Sequence, residues 1–194
     1  MFGVWHMRII TGTAKGCRLK SPQGWDTRPT ADRIKESLFN ILGQRVRGRT
    51  VLDLFSGTGG LGLEALSRGA DRAVFVDRAT AALIEENALH TRLAERAEVC
   101  RGDVFSVMAR LAAERRVFDL VFCDPPYHRG LWEKALCFLD TSGLFAGDGI
   151  LVVEHGADEN AVPVLERLAC VRRERYGRTT QISFFRCRDE FGEG

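Results

Sequence analysis

Short apolar runs alternate along the chain with stretches whose apolar residues recur at helical spacing. The apolar runs lie at 51–55, 73–76, 98–100, 118–123 and 149–154. The stretches of helical character lie at 61–68, 79–93, 104–115 and 131–139. Short apolar runs bounded by Gly, Pro or Asp are typical of buried strands, and strands that alternate with helices predict βαβ units. The pattern therefore predicts an α/β domain with a mostly parallel sheet covered by helices on both faces.

The pattern changes on either side of this region. After the last apolar run, the extended stretches 169–176 and 179–188 predict an antiparallel hairpin. Before the first run, residues 9–19 predict a smaller hairpin. A helix is predicted over 31–42, with Thr30 as its N-cap.

Composition excludes several classes of protein. The chain has 194 residues, 45% hydrophobic and 28% charged, which is typical of a globular domain. No apolar run approaches the roughly 18 residues that a transmembrane helix needs. The first six residues lack the basic and apolar parts of a signal peptide, so we expect a cytoplasmic protein. The six cysteines show no CxxC spacing and the histidines no ligand spacing with them; we expect free thiols and no metal site.

Charge is distributed unevenly along the chain, although the net charge is only +2. Residues 1–49 carry +7 and residues 167–188 carry +6, whereas residues 50–166 carry −8 and residues 189–194 carry −3. Two basic ends around an acidic middle suggest that the ends hold a polyanion. Because basic clusters are also common on surfaces that bind nothing, charge alone leaves nucleic-acid binding undecided.

The first candidate site is a glycine-rich turn between a predicted strand and a predicted helix. Gly57, Gly59 and Gly62 let the backbone approach a ligand, and the helix start offers unpaired N–H groups. The turn lacks the Gly-Lys-Ser/Thr ending of a phosphate-binding P-loop. Asp53 in the preceding strand would repel a pyrophosphate and suits a positively charged ligand. Asp77, at the end of the next strand, is placed for ribose hydroxyls. A tight turn without a ligand is the alternative.

The second candidate site is the sequence Asp124-Pro125-Pro126-Tyr127, directly after a buried strand. The prolines fix the backbone and remove two N–H donors, which leaves carbonyl acceptors. With the carboxylate of Asp124 they form a cluster of acceptors beside the ring of Tyr127. Such a cluster suits a planar molecule that presents an NH2 group. The alternative is a rigid turn in which the tyrosine only packs.

These two motifs resemble those of class I S-adenosylmethionine-dependent methyltransferases that act on exocyclic amines. Over nearly the whole chain, from residue 7 to about residue 188, the sequence is similar to the bacterial RsmD family, which methylates guanine N2 in 16S ribosomal RNA. Besides the two motifs, the matching segments are 8–16, 27–30, 32–33, 36–40 and 176–179. The first six residues precede the usual beginning of that family, so the sequence offers two starts, Met1 and Met7.

The resemblance implies S-adenosylmethionine as the cofactor and 16S rRNA in the small ribosomal subunit as the partner. The implied cofactor contacts are Asp53 (to the ammonium group), Phe55, Gly57, Gly59, Asp77 (to the ribose), Asp103 and Val104 (to the adenine), and Asp124. The implied catalytic residues, which hold the target guanine, are Asp124, Pro125 and Tyr127. The implied contacts to RNA are Arg8, Lys15, Arg18, Lys20, Arg28, Thr30, Arg33, Pro126 and Tyr127.

The resemblance also implies a Rossmann-like, doubly wound fold with a seven-stranded sheet, a C-terminal antiparallel hairpin and a small N-terminal hairpin–helix extension. The expected divisions are a basic extension at 1–48, the methyltransferase domain at 49–188 and a tail at 189–194. Nothing in the sequence demands more than a monomer. Cys123 lies in an apolar strand and is expected in the core rather than as a nucleophile. Trp25 and Trp132 could stack on bases, but both are expected to pack.

Two other functions are compatible with the motifs. The same four-residue motif serves adenine-N6 and cytosine-N4 methyltransferases, although this chain has no room for a separate target-recognition domain. A non-catalytic RNA-binding assembly factor that retains the cofactor fold is the second alternative. Analysis of the methylated nucleoside separates the first alternative, and binding of cofactor without turnover indicates the second.

Overall fold

Seven strands form one sheet in the order β3-β2-β1-β4-β5-β7-β6. The computed structural model describes residues 7–22 and 29–188, with side chains described from residue 32 in the second stretch. The strands are β1 Thr50–Leu54, β2 Arg72–Asp77, β3 Ala97–Arg101, β4 Phe118–Cys123, β5 Phe145–Gly156, β6 Leu168–Tyr176 and β7 Thr180–Cys187. The helices are α1 Pro29–Leu42, α2 Gly60–Ser67, α3 Ala81–His90, α4 Val104–Ala113 and α5 Leu131–Thr141.

The first five strands are parallel, and β7 joins β5 in the antiparallel direction with β6 outside it. Alternate residues of each strand face opposite sides of the sheet. In β1, Leu52 and Leu54 pack with α4 and α5, whereas Val51 packs with α1, α2 and α3 on the other face. The predicted α/β class, the seven strands and the C-terminal hairpin are confirmed. Cys123 and Trp132 are both buried in the core, as expected.

The small hairpin predicted at residues 9–19 is present, although it is short. Its two arms form one antiparallel bridge, between Arg8 and Arg18, and backbone hydrogen bonds of 2.8 and 2.9 Å join the arms on either side of that bridge. Beyond the bridge, the backbone N–H groups of Ile10 and Thr11 donate to the carboxylate of Glu64 in α2, at 2.7 and 3.0 Å. The hairpin is therefore folded upon itself and also attached to the domain.

The predicted N-cap is wrong by two positions, because α1 begins at Pro29 and Thr30 lies inside the helix. Proline suits the first helical position, where its fixed φ is helical and its missing N–H has no partner to lose. Arg28 and Trp25 lie outside the described residues. In the described part of the chain, no helix is long and apolar enough to cross a membrane, and no three His, Cys, Asp or Glu side chains are arranged to hold a metal ion.

Candidate active site

A pocket of about 1000 Å³ lies at the carboxyl ends of β1, β2, β4 and β5. The chain leaves β1 towards β2 and β3 on one side and returns to β4 and β5 on the other. At such a switch point the connections leave in opposite directions, which opens a crevice at the ends of the strands. Both sequence motifs follow strands that end at this edge, so the topology brings them to one pocket.

The glycine-rich turn reverses the chain between β1 and α2. Phe55, Gly57 and Gly59 have positive φ angles of 58°, 55° and 79°. Ser56 ties the turn to β2, because its hydroxyl accepts from the Val76 N–H at 2.9 Å and its own N–H donates to the Val76 carbonyl at 3.2 Å. The first amides of α2 consequently start at the pocket, where unpaired N–H groups favour polar ligand atoms.

Asp53 is a buried carboxylate at the base of this turn. Its side chain accepts one hydrogen bond, from the N–H of Gly62 at 2.9 Å. Burial raises the pKa of Asp53 to about 8, and the nearby charge of Asp77 adds to the rise while the Gly62 bond opposes it. A buried carboxylate with so few partners gains strongly from a positive charge placed beside it. Asp53 is therefore suited to an ammonium group.

Asp77 is held rigidly at the end of β2. Its two carboxylate oxygens accept from the backbone N–H groups of Gly57 at 3.1 Å, Ala79 at 2.8 Å and Thr80 at 3.0 Å. One of these donors belongs to the glycine-rich turn, so Asp77 also links that turn to β2. The side chain is half-buried and lines the pocket, in the position from which ribose binding is predicted.

The start of α4 forms another part of the pocket wall, next to the glycine-rich turn and Asp77. The carboxylate of Asp103 caps this helix, accepting from the Ser106 N–H at 3.0 Å, and this bond lowers the pKa of Asp103. Val104, the first residue of α4, also lines the pocket. Phe105 meets Phe55 edge to face at 6.4 Å between ring centroids. These apolar rings and a helix start suit a flat, hydrogen-bonding ring such as a purine.

Asp124 follows β4 and lines the pocket, to which its surface is open. Although solvent can reach it through the pocket, the surrounding protein desolvates the carboxylate and raises the pKa of Asp124 well above its ordinary value, with further contributions from the negative charges of Glu154 and Asp53. Neither Asp124 nor Glu154 forms an ion pair with a side chain in the described part of the chain. The two carboxylates are therefore available to accept hydrogen bonds from a ligand. Pro125 and Pro126 line the pocket beside Asp124.

Tyr127 is fixed by two hydrogen bonds at its hydroxyl. The hydroxyl donates to Glu154 Oε1 at 2.6 Å and lies 3.1 Å from Thr180 Oγ1. Burial and the neighbouring carboxylate raise the pKa of Tyr127, which keeps the hydroxyl protonated. The ring thus has a fixed orientation at the pocket wall, as a stacking surface requires.

A family model described as "Conserved hypothetical protein 95" matches residues 7–186. The chain is 36% identical over 175 residues to Ribosomal RNA small subunit methyltransferase D of Escherichia coli strain K12, a match that covers 89% of this chain and 86% of the relative. The chain belongs to the RsmD family of rRNA methyltransferases. The predicted resemblance is therefore confirmed.

Solved structures agree with this family. One from Escherichia coli, described as a candidate methyltransferase, is 34% identical with a TM-score of 0.80, and the match covers 94% of this RsmD-family chain and 98% of that chain. An RNA methyltransferase from Salinibacter ruber in complex with S-adenosyl-L-homocysteine is 16% identical with a TM-score of 0.62, covering 83% and 95%. At that identity the likeness shows the shared fold alone.

Most of the predicted cofactor contacts of this RsmD-family chain meet in the pocket. Those that line it are Asp53, Phe55, Gly57, Asp77, Asp103, Val104 and Asp124. Gly59 is not among the lining residues and is instead the N-cap of α2, where a Cβ atom would lie 3.2 Å from Ile84. Gly59 therefore shapes the turn.

The residues predicted to contact RNA are spread more widely. Pro126 and Tyr127 line the pocket, whereas the basic ones lie on the surface: Arg8, Lys15, Arg18, Lys20 and Arg33 are all exposed. Arg8 pairs with Asp32 at 3.3 Å and Lys20 pairs with Glu86. Arg33 lines a separate groove between α1 and β6. Arg28 and the side chain of Thr30 lie outside the described residues.

Glu154 and Lys35 are among the pocket residues of this RsmD-family chain that were not predicted from the sequence. Glu154 ends an apolar run beside the run that leads into Asp124, and that position was the available signal. Lys35 gave no signal, because a lysine in an amphipathic helix is ordinarily exposed. Here Lys35 is only 4% exposed, and its ammonium group donates to the Arg8 carbonyl and lies 3.6 Å from Glu64.

Proposed function

We propose that this RsmD-family enzyme transfers a methyl group from S-adenosylmethionine to the N2 amine of a guanine in small-subunit (16S) rRNA. The observation that carries the proposal is the meeting of two unlike carboxylate sites in one pocket. Asp53 suits a positively charged cofactor, and Asp124 lies with Pro125 and Tyr127 directly after the neighbouring strand β4. Methylation of an exocyclic amine requires hydrogen-bond acceptors for that amine beside a site for the positively charged cofactor.

The cofactor side of the pocket fits S-adenosylmethionine. In the described residues the buried Asp53 carboxylate accepts one hydrogen bond, which leaves room for an ammonium partner. Asp77 is rigid enough to hold ribose hydroxyls, and the start of α4 with Phe55 and Phe105 suits the adenine. When bound, S-adenosylmethionine supplies a methyl group on a sulfonium sulfur, which makes that carbon an electrophile.

The chain's own residues would prepare the amine. The nitrogen of an exocyclic amine is a poor nucleophile, because its lone pair is delocalised into the ring. Asp124 and the Pro125 carbonyl would accept the amine hydrogens and so increase electron density on the nitrogen. Asp124 Oδ would also take the proton that the nitrogen loses when it gains the methyl group, and the raised pKa of Asp124 makes it a stronger base. Tyr127 would stack on the base, unstacked from its RNA neighbours.

Contacts to the RNA backbone are proposed for the basic extension, residues 1–48, which precedes the methyltransferase domain at 49–188. Lys15 and Arg18 support this, because both are exposed and neither pairs with an acidic side chain in the described residues. Exposed cations without partners are available to phosphates. We further propose that the enzyme is a monomer, since one chain supplies every wall of the pocket. We also propose that it acts in the cytoplasm.

The test is methyl transfer from labelled S-adenosylmethionine to small ribosomal subunits that lack the modification, with naked 16S rRNA and duplex DNA in parallel. Digestion of the product identifies the labelled nucleoside. We expect label in N2-methylguanosine from ribosomal material, and turnover at least about a hundredfold lower for Asp124→Ala. Label in a DNA adenine or cytosine would refute the proposed substrate. Binding of cofactor without any transfer would indicate an assembly factor.

A further inference from the structure

Glu154 lies beside Asp124 at the end of the sheet that forms the pocket. β4 and β5 are parallel neighbours, and their register pairs Cys123 with Val153. The next residue in each case is an acid: Asp124 directly follows β4, and Glu154 lies within β5, which continues to Gly156. The two acids are therefore neighbours at the same level of the sheet. Both line the pocket, and they lie close enough for the charge of Glu154 to raise the pKa of Asp124.

The carboxylate of Glu154 is held in one orientation. Oε1 accepts the Tyr127 hydroxyl at 2.6 Å, and that hydroxyl lies 3.1 Å from Thr180 on β7. The described residues supply no hydrogen bond to Oε2 and no ion pair to either oxygen. A half-buried carboxylate with one oxygen fixed and the other without a protein partner is an acceptor held ready for a donor.

The three amine-bearing bases differ at the ring nitrogen next to the amine. In guanine the N2 amine adjoins N1–H, so two donors lie side by side. In adenine the N6 amine adjoins N1, and in cytosine the N4 amine adjoins N3; both of these ring nitrogens are acceptors. Two neighbouring carboxylates therefore match guanine, whereas a second carboxylate oxygen would face a lone pair of adenine or cytosine.

We propose that Glu154 is the residue that selects guanine, by accepting N1–H while Asp124 and the Pro125 carbonyl hold the N2 amine. The inference rests on the proposed function and deepens it, because the shared Asp-Pro-Pro-Tyr motif only specifies an amine. Tyr127 has two parts in this arrangement: its ring stacks on the base and its hydroxyl orients the selecting carboxylate. Glu154 touches the substrate without taking part in the transfer.

The decisive substrate is rRNA in which the methylated guanine, once mapped on the wild-type product, is replaced by 2-aminopurine. That base keeps the reactive N2 amine but has an acceptor at N1. Wild-type enzyme is expected to discriminate against it by about ten- to a hundredfold in kcat/KM, the range for a lost or mismatched base contact. Glu154→Gln keeps the shape and the acceptor for Tyr127 and adds an NH2 donor. We expect it to lose guanine activity and to reduce or reverse the preference over 2-aminopurine.

Two further variants separate selection of the base by Glu154 from effects of the surrounding structure. Tyr127→Phe removes the orienting hydroxyl and keeps the ring; it is expected to lower the rate on both bases while some preference for guanine persists. Asp148→Asn removes an acid from the opposite end of the same strand, where it pairs with Arg49 on the surface, and is expected to match wild type. Cofactor affinity, measured by calorimetry, is expected to stay within about twofold of wild type in Glu154→Gln, since its change is confined to the base site.

The proposal is overturned if Glu154→Gln keeps the wild-type ratio of guanine to 2-aminopurine, whether both rates are unchanged or both fall equally. Equal loss would give Glu154 a positioning role only. These outcomes are distinct from failure of the proposed function, which appears as the absence of N2-methylguanosine from the wild-type reaction. Retention of cofactor binding shows that the variant is folded in either case.

Discussion

Lys35 of α1 and Glu64 of α2 form an ion pair in the interior, 3.6 Å apart and 4% and 0% exposed. Burial lowers the pKa of Lys35, which Glu64 partly opposes. Glu64 also accepts from Arg68 Nε at 2.7 Å and from two backbone N–H groups of the N-terminal segment. Since Lys35 lines the pocket as well, the carboxylate of Glu64 links the N-terminal hairpin and α1 to α2 at the wall of the site.

Glu64→Gln is expected to destabilise the protein by about 3–5 kcal/mol, because it leaves the buried Lys35 ammonium without its counter-charge. Urea unfolding gives the free energy of unfolding directly. The matched control is Glu86→Gln, whose pair with Lys20 is about half exposed and should contribute less than about 1 kcal/mol. Equal stability of the two variants would contradict a structural role for the buried pair.

Cofactor binding is expected to release a proton from Asp53. With a pKa of about 8, the buried carboxyl is mostly protonated at pH 7, and a bound ammonium group favours its ionised form. About one proton should leave per cofactor at pH 7, falling towards zero above pH 9. Calorimetry in buffers of different ionisation enthalpy counts it. Asp53→Asn removes the titrating group, so it should bind cofactor weakly and show no buffer dependence.

The same shift fixes how stability depends on pH. The folded-state pKa of Asp53 exceeds its unfolded value, so the folded state holds the proton more tightly. Stability without cofactor should therefore decrease as pH rises from about 4 to about 8 through this group. Asp53→Asn should flatten that part of the profile, and an unchanged slope would argue against a buried, neutral Asp53.

Activity is expected to fall on the acid side at a higher pH than an ordinary aspartate would give. Asp124 must be ionised to accept the amine protons, and burial with the charges of Glu154 and Asp53 raises the pKa of Asp124. Removing the Glu154 charge in Glu154→Gln should move the acid limb of kcat to lower pH, whatever the absolute rate. Because the carboxyls of Asp124 and Glu154 are close, the acid limb of kcat reports the titration of both groups together. If the limb does not move in Glu154→Gln, the titrating group lies elsewhere.

Gly62→Ala is expected to lower both stability and cofactor affinity. A Cβ atom there would lie 2.3 Å from the Phe75 ring and 3.0 Å from Asp53 Oδ2, so α2 must shift away from β2. Overpacking of this kind costs about 1–3 kcal/mol. Gly147→Ala is the control, since a Cβ atom there meets nothing within 4 Å. Thermal unfolding and calorimetry measure the two effects, and a silent Gly62→Ala would contradict the tight packing.

Loss of Lys15 and Arg18 is expected to weaken rRNA binding without affecting turnover once the complex has formed. Each cation that neutralises a phosphate contributes about one unit to the slope of log affinity against log salt. The double variant to Ala should therefore bind less tightly and show a slope smaller by about two. Binding at several salt concentrations measures this slope. An unchanged slope would show that the RNA follows another surface.

The fold and much of the site could be predicted because their signals are local. The runs at 51–55 and 118–123 alternate with helical stretches, and that order alone indicates a parallel sheet. Parallel strands end at one edge, so Asp53, Asp77 and Asp124 were expected together before any contact was known. Helix and strand ends differed by one to four residues, as at Pro29, where α1 begins two residues early, and at Phe145, where β5 begins four residues early, because end residues respond to neighbours that the pattern does not contain.

What the tertiary structure decided are contacts between residues distant in the sequence. The partner of Tyr127 is Glu154 because β4 and β5 are adjacent in one register, and the partner of Lys35 is Glu64 because α1 packs against α2 on one face of the sheet. A one-residue slip of a strand would turn each of its side chains to the other face. By itself the sequence determined which elements form and which chemistry the strand ends carry. The register of the strands decided that Asp124 lies beside Glu154, and the packing of the helices decided that Lys35 meets Glu64.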